Sequence, residues 1–143
     1  MLAEIRDRCD AVEECYEFLL AYAAQGLPSD QGSKRGGEVR EYLRRAVEAL
    51  TGLPEACAMA VKREGLESAG KYLAFVEVLD RDSRDSLIAI ELVLAQSAIS
   101  SQLIDNLNAS IHLRALLTDL FLLGEILRRQ SKPAVEVVTG DGD

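Results

Sequence analysis

The chain has 143 residues, of which 24 are acidic and 16 basic, and its formal net charge is −8. This charge argues against a dedicated nucleic-acid binder, because such proteins neutralise phosphates with basic side chains. The hydrophobic content of 48% is typical of a globular protein, and the length suits one domain with its own core. No signal peptide is visible, and no apolar run reaches the roughly 20 residues that a membrane span needs. We therefore expect a soluble protein without a membrane contact, and the three cysteines, which form no disulfide framework, favour a reducing cytoplasm.

The first predicted helix runs from Leu2 to Ala23. Apolar residues recur there every three or four positions, which is the period of one helix face, and Gly26 and Pro28 end the helix. The segment 26–37 that follows is rich in glycine and has no periodicity. A loop of about a dozen residues is long for a compact bundle, which indicates that it is either mobile or functional.

Two further helices are predicted before residue 66. One begins near Gly37 or Glu38 and is stopped by Gly52, and its buried side consists of Val39, Leu43, Ala46 and Leu50. The next begins at Pro54, whose missing N–H is not needed in the first turn, and it ends around Gly65. Its apolar face is made of small residues: Ala56, Cys57, Ala60 and Val61. A fourth helical segment follows, because Leu66, Ala69, Tyr72, Leu73 and Val76 resume the helical period; the alternative is a kinked continuation of the third helix.

The stretch Ser86–Leu127 is too apolar to form the outer helix of a small monomer. A helix that is apolar on most of its circumference must be covered on most sides. The polar run Asp80–Ser86 before it predicts a helix break capped by Asp82 or Ser83. The alternative is one helix that passes straight through, since every residue in the run is compatible with a helix.

The second half of the chain then predicts two more helices. The main one extends from about Arg84 to Asp105, and a turn follows at Asn106–Asn108. Asn108 would cap the last helix, which ends near Arg129. Two basic residues at this end suit the negative end of the helix dipole.

These elements predict an all-α fold, an antiparallel bundle of five or six helices. Residues 1–130 would form a single domain and residues 131–143 a flexible tail. Apolar area that one chain leaves uncovered is usually an interface, so we expect a homodimer. Cys9, Cys15 and Cys57 are an odd number without a repeated spacing, which predicts buried free thiols and neither a disulfide framework nor a zinc site.

Five residues are candidates for a ligand or anion site: Arg40, Arg44, Arg45, Glu91 and His112. The arginines follow two glycines that expose a helix N-terminus, where anions bind; the alternative is a solvated face interleaved with glutamates. Glu91 lies among apolar residues. It is either a buried charge with a basic partner or a residue that reaches water on the one wet side of its helix.

His112 is the single histidine of the chain. On a continuous helix it would align with Asp105 and Asp119, which suggests a proton relay or metal ligands. The spacing of seven residues, about 10 Å, is too wide for neighbours to share one ion, so a histidine satisfied by a neighbouring side chain is favoured. We predict no catalytic residue, no metal and no cofactor.

The leading functional hypothesis is a non-catalytic interaction or regulatory protein, an adaptor. It would bind a protein partner through the basic second helix, the 26–37 loop or the tail. The alternative is a bundle that binds a small molecule or an anion, with or without catalysis, in an internal pocket near Glu91 and His112.

Overall fold

The computed structural model describes residues 2–65 and 67–131. Within that range the chain forms six helices and no strands: α1 (Leu2–Ala23), α2 (Lys34–Leu50), α3 (Leu53–Glu64), α4 (Ala69–Leu94), α5 (Ser101–Ala109) and α6 (Ile111–Ser131). The prediction of an all-α bundle is confirmed. The predicted tail lies outside the described residues beyond Ser131, where α6 ends.

The four long helices α1, α2, α4 and α6 form a bundle in which neighbouring helices are antiparallel. Arg8, near the start of α1, donates hydrogen bonds to the carbonyl oxygens of Ala49 and Thr51 at the end of α2, at 3.0 and 2.7 Å. Arg40, near the start of α2, donates to the carbonyl oxygen of Leu94, the last residue of α4, at 2.9 Å. Each contact joins the beginning of one helix to the end of the next.

Helix α6 completes the ring of four. Ser86, in the second half of α4, donates to the carbonyl oxygen of His112 at the start of α6, at 2.9 Å. The two short helices close the ends of the bundle, α3 mainly against α4 and α5 mainly against α1. The core between them is largely aliphatic, and Tyr22 is its largest fully buried side chain.

The first three helices follow the predicted periods. The predicted stripe of α1 includes the buried residues Ile5, Cys9, Val12 and Leu19, but α1 also buries three residues off that stripe, Cys15, Phe18 and Tyr22. The predicted face of α2 is buried at Val39, Leu43, Ala46 and Leu50. Helix α2 begins earlier than predicted because Ser33 caps it, its Oγ accepting from the N–H of Gly36 at 2.9 Å. Pro54 lies in the first turn of α3 and Gly65 at its end, as predicted.

The predicted break at Asp80–Ser86 is wrong, because α4 passes through this run as one helix. Asp80 and Arg84 form an ion pair one turn apart, at 2.9 Å. Ser83 and Ser86, the two small residues of the run, are buried. The run therefore alternates exposed charged residues with small buried ones, which is the pattern of an amphipathic helix.

The predicted helix from Arg84 to Asp105 is also wrong. Helix α4 ends at Leu94, and α5 begins after Ser100, whose Oγ accepts from the N–H of Leu103 at 3.0 Å. Asn108 lies inside α5 and does not cap the last helix.

That cap is Ser110, whose Oγ accepts from the N–H of Leu113 at 3.2 Å. The stretch Ser86–Leu127 therefore contains parts of three helices rather than two. Across the described residues, no helix combines the length and the apolar character that crossing a bilayer requires.

Candidate functional site

Glu91 and His112, the two candidates from the apolar stretch, are both exposed. Glu91 therefore reaches water on the outer side of α4 and is not a buried charge. The Nδ1 atom of His112 lies 4.0 Å from a carboxylate oxygen of Asp85, which is beyond hydrogen-bonding distance. Asp105 lies on α5 while His112 and Asp119 lie on α6, so the three do not form a row on one helix.

The three candidate arginines have separate surroundings. Arg44 is exposed. Arg45 forms an ion pair with Glu41 at 3.0 Å, and its guanidinium lies over the ring of Tyr42, 5.0 Å from the centroid. Arg40 points instead to the end of the bundle where α5 lies. The structure therefore does not bring the candidate residues of α2 to one point.

Arg40 forms a partly buried ion pair with Asp30, at 2.6 Å from Nε to the carboxylate. The same guanidinium donates to the carbonyl oxygen of Gln96 at 2.7 Å, and Asp30 also accepts from the N–H of Ile99 at 2.7 Å. Burial alone raises the pKa of Asp30, but the hydrogen bonds from Arg40 and Ile99 outweigh it, so this pKa lies below its ordinary value. These contacts are structural, since they join the chain before α2 to the chain after α4.

The connector between α1 and α2 is hydrogen-bonded to the beginning of α5, at the same end of the bundle. The N–H of Leu27 donates to Oγ of Ser101 at 2.9 Å, and Ser101 Oγ donates to the carbonyl oxygen of Tyr22 at 2.6 Å. The hydroxyl of Tyr22 donates to the carbonyl oxygen of Ile99 at 2.7 Å. The sequence suggests a mobile or functional loop at 26–37, whereas these hydrogen bonds give its first part a structural role.

A groove opens on the outer side of α4 and α6, near the end of the bundle where α3 lies. Its volume is about 250 Å³, and it is lined by Lys71, Tyr72, Phe75, Leu122, Leu123 and Ile126. The walls are almost entirely apolar. None of the five candidate residues from the sequence lines this groove.

The floor of the groove leads into the bundle. Tyr72, Phe75 and Leu123 also border an apolar space of about 30 Å³ beneath it, next to Leu2 and Ile5 of α1. Such a space holds about one water molecule, and apolar cavities of this kind stay dry. The groove therefore has a loosely packed apolar floor.

Exposed apolar side chains are concentrated on the two helices that border the groove. Among the described residues eight large hydrophobic side chains are exposed, and Leu20 and Met59 are the two on α1 and α3. The other six belong to α4 or α6, and we call them the α4–α6 face: Ile88, Leu92, Ile111, Phe121, Leu122 and Ile126. Single exposed apolar residues are ordinary, whereas a concentration of them marks an interaction surface.

Two carboxyl groups meet between α4 and α6. Asp119 of α6 is only 6% exposed, and within the described chain its Oδ2 has no hydrogen-bond partner. Burial, followed by the hydrogen bond and the charge of Asp82 on α4, raises the pKa of Asp119 to about 7. Since two adjacent carboxylates repel each other, the pair holds one proton around neutral pH.

Sequence reasoning missed both the groove and the carboxyl pair. Leu122 and Ile126 are four residues apart and lie off the buried stripe of α6, which is a pattern that points to a second apolar face. Tyr72 and Phe75 give no such signal, because they lie seven and four residues before the buried Leu79, on the same face of α4. No comparable pattern pairs Asp82 with Asp119, because nothing in the sequence states which helices are adjacent.

Comparisons with known proteins give no family for this chain. No protein-family model, no curated protein and no solved structure matches it. Among the described residues, no three His, Cys, Asp or Glu side chains are grouped as metal ligands are. The α4–α6 face and the groove are therefore the candidate functional site.

Proposed function

We propose that this protein is a non-catalytic interaction protein of the cytoplasm that forms a homodimer through the α4–α6 face. The observation that carries the proposal is the location of the exposed apolar side chains, six of the eight in the described chain being on these two helices. Burying such side chains against a partner is favourable by about 25 cal/mol per Å² of apolar area. Three buried free thiols fit a reducing compartment.

A second copy of the chain is a suitable occupant by size and symmetry. Helix α4 has 26 residues and α6 has 21, so at about 1.5 Å per residue and about 10 Å between axes the face measures roughly 30 by 20 Å. Two such faces would bury about 1,200 Å² in total, at the lower end of stable interfaces. An antiparallel helix pair also suits a twofold dimer, in which the same patch is used on both copies.

The net charge of −8 sets how such a dimer should respond to salt. Two acidic copies repel each other at long range, and salt screens that repulsion with a Debye length of about 8 Å at physiological ionic strength. An interface made of apolar side chains does not lose contacts when salt is added. We therefore expect self-association to strengthen as the salt concentration rises.

Sedimentation velocity at micromolar concentration tests the proposal. We expect a dimer for the wild-type protein and a monomer for Leu122→Glu, because the new carboxylate would be buried in the interface. Leu20→Glu is the matched control, since Leu20 is 48% exposed and Leu122 51% exposed but Leu20 lies on α1. A wild-type protein that sediments as a monomer throughout contradicts the dimer, and dissociation by Leu20→Glu contradicts its placement.

Small-molecule binding is a second candidate function, favoured by the groove rather than by the residues predicted from the sequence. Glu91 and His112 are exposed and do not border it. Its walls are largely apolar with a few polar groups at the edge, which is the usual composition of ligand sites.

A further inference from the structure

We infer that the groove between α4 and α6 binds a single-chain amphiphile with an anionic head, such as the carboxylate of a medium-chain fatty acid. Its chain would lie along Phe75, Leu122 and Ile126, and its head would lie at Lys71. This assignment concerns a ligand and does not depend on the dimer proposed above.

The volume of the groove suits an alkyl chain. The groove has a volume of about 250 Å³, roughly that of eight water molecules at about 30 Å³ each. A flexible chain of similar volume fits this space, and its methylene groups would contact an almost entirely apolar wall. The dry space beneath Tyr72 and Phe75 allows the floor to yield to the chain.

The charge at the rim selects the sign of the head group. Lys71 is the one charged residue that lines the groove, and within the described chain no ion pair is formed by its ammonium. It lies in the first turn of α4, where the helix dipole is positive and favours an anion. The residue before α4, Ser68, makes no side-chain capping hydrogen bond there, so its hydroxyl does not compete with an incoming anion.

The ligand and the proposed dimer would use the same side chains. Leu122 and Ile126 belong both to the groove and to the α4–α6 face. A chain lying over them would reduce the apolar area available to a second copy. We therefore expect the two kinds of binding to compete if both occur.

Calorimetric titration with decanoate, decanol and decyltrimethylammonium tests the inference. Decanoate should bind saturably and most tightly, and the series hexanoate, octanoate, decanoate should gain about fourfold in affinity per methylene, as burial of that group predicts. Lys71→Gln should weaken decanoate binding by about 1.5- to fivefold, the range of an exposed ion pair, and leave decanol binding unchanged. Lys62→Gln, an exposed lysine of α3, is the control and should change neither.

The titration is repeated on Ile88→Glu, which places a charge on the α4–α6 face away from the groove. If the dimer exists, this variant is monomeric and should bind decanoate more tightly than the wild type; if it does not, both should bind equally. The absence of saturable binding to Ile88→Glu overturns the groove as a site. Equal affinity for the three head groups overturns the role of Lys71.

Discussion

Arg40 and Asp30 form an ion pair at 2.6 Å that connects three parts of the chain. Arg40 belongs to α2 and also binds the carbonyl oxygens of Leu94 and Gln96, while Asp30 accepts from the N–H of Ile99. The start of α2 is thereby held against the end of α4 and the segment that leads to α5. Asp30 is buried, so it depends on Arg40 for compensation of its charge.

Replacing Arg40 by alanine should lower the free energy of unfolding by about 3 kcal/mol, because it leaves a buried carboxylate without its cation. Urea denaturation at pH 7 measures the change. Arg44→Ala is the control, since Arg44 is exposed on the same helix and should change the free energy by less than about 0.5 kcal/mol.

The difference in unfolding free energy between the wild type and Arg40→Ala should also depend on pH. The pKa of Asp30 is lowered from its ordinary value of 3.8, so its ionised form stabilises the folded state above that pH, and this stability is lost as the pH falls through the lowered pKa. The difference between wild type and Arg40→Ala should therefore shrink in strong acid. A difference that grows there would contradict the assignment.

Two adjacent glycines of α2 should respond oppositely to alanine. A Cβ on Gly36 would overlap the backbone carbonyl of Asp30, whereas a Cβ on Gly37 would meet no heavy atom within 4 Å. We expect Gly36→Ala to destabilise by about 1–3 kcal/mol, as overpacking does, and Gly37→Ala to stabilise by about 0.5 kcal/mol through the higher helix propensity of alanine. Thermal unfolding of both variants would show melting temperatures on opposite sides of the wild type, and equal shifts would contradict the close approach at Gly36.

Replacing Asp119 by asparagine should stabilise the protein at alkaline pH. The pKa of Asp119 is raised from 3.8 to about 7, so the folded state keeps a proton that the unfolded state releases, and stability falls as the pH rises from about 4 to 7. Asparagine keeps the shape of the acid without the charge. At pH 8 we expect the free energy of unfolding of Asp119→Asn to exceed that of the wild type by about 1–3 kcal/mol. This is less than the upper limit that linkage sets, which is roughly 1.4 kcal/mol for each pKa unit.

Urea denaturation at several pH values measures this gain. At pH 4 the gain should be absent, since Asp119 is then protonated in the folded wild type. Asp105→Asn, at an exposed position of α5, should not remove the slope between pH 4 and 7. A gain for Asp119→Asn that is the same at every pH would show that the carboxyl pair does not hold a proton.

The three cysteines should not react in the folded protein. Burial, as the largest effect, raises the pKa of Cys9, Cys15 and Cys57 to about 12, so at pH 8 only about one thiol in ten thousand is the reactive thiolate. A disulfide reagent should therefore label none of them within minutes, and should label all three after urea denaturation. If the folded protein reacted rapidly with one equivalent of the reagent, one of the three thiols would not be buried.

The local part of this fold was predictable from the sequence. The stripe of α1 and the buried side of α2 follow from hydrophobic period alone, and Gly65 ends α3 where a left-handed residue is needed. The uncovered apolar content of Ser86–Leu127 was also predictable, and it appears as exposed residues of α4 and α6. Each of these features depends on residues that are close in sequence.

The errors arose where a distant contact decided the structure. Ser83 and Asp82 have the composition of a helix cap, but α6 covers this part of α4, with Asp119 meeting Asp82, so the helix continues. Cap propensity could not separate Asn108 from Ser110. The partners of Arg40 lie 10 to 56 residues away, and neither spacing nor composition selects them.

Helix α4 runs without a break from the groove to the contacts of Arg40. At about 1.5 Å per residue its 26 residues span about 39 Å, with Tyr72 and Phe75 at one end and Leu94, held by Arg40, at the other. Because the groove and the Arg40 contacts lie at opposite ends of this one helix, we expect a displacement of α4 at the groove to be transmitted towards Leu94.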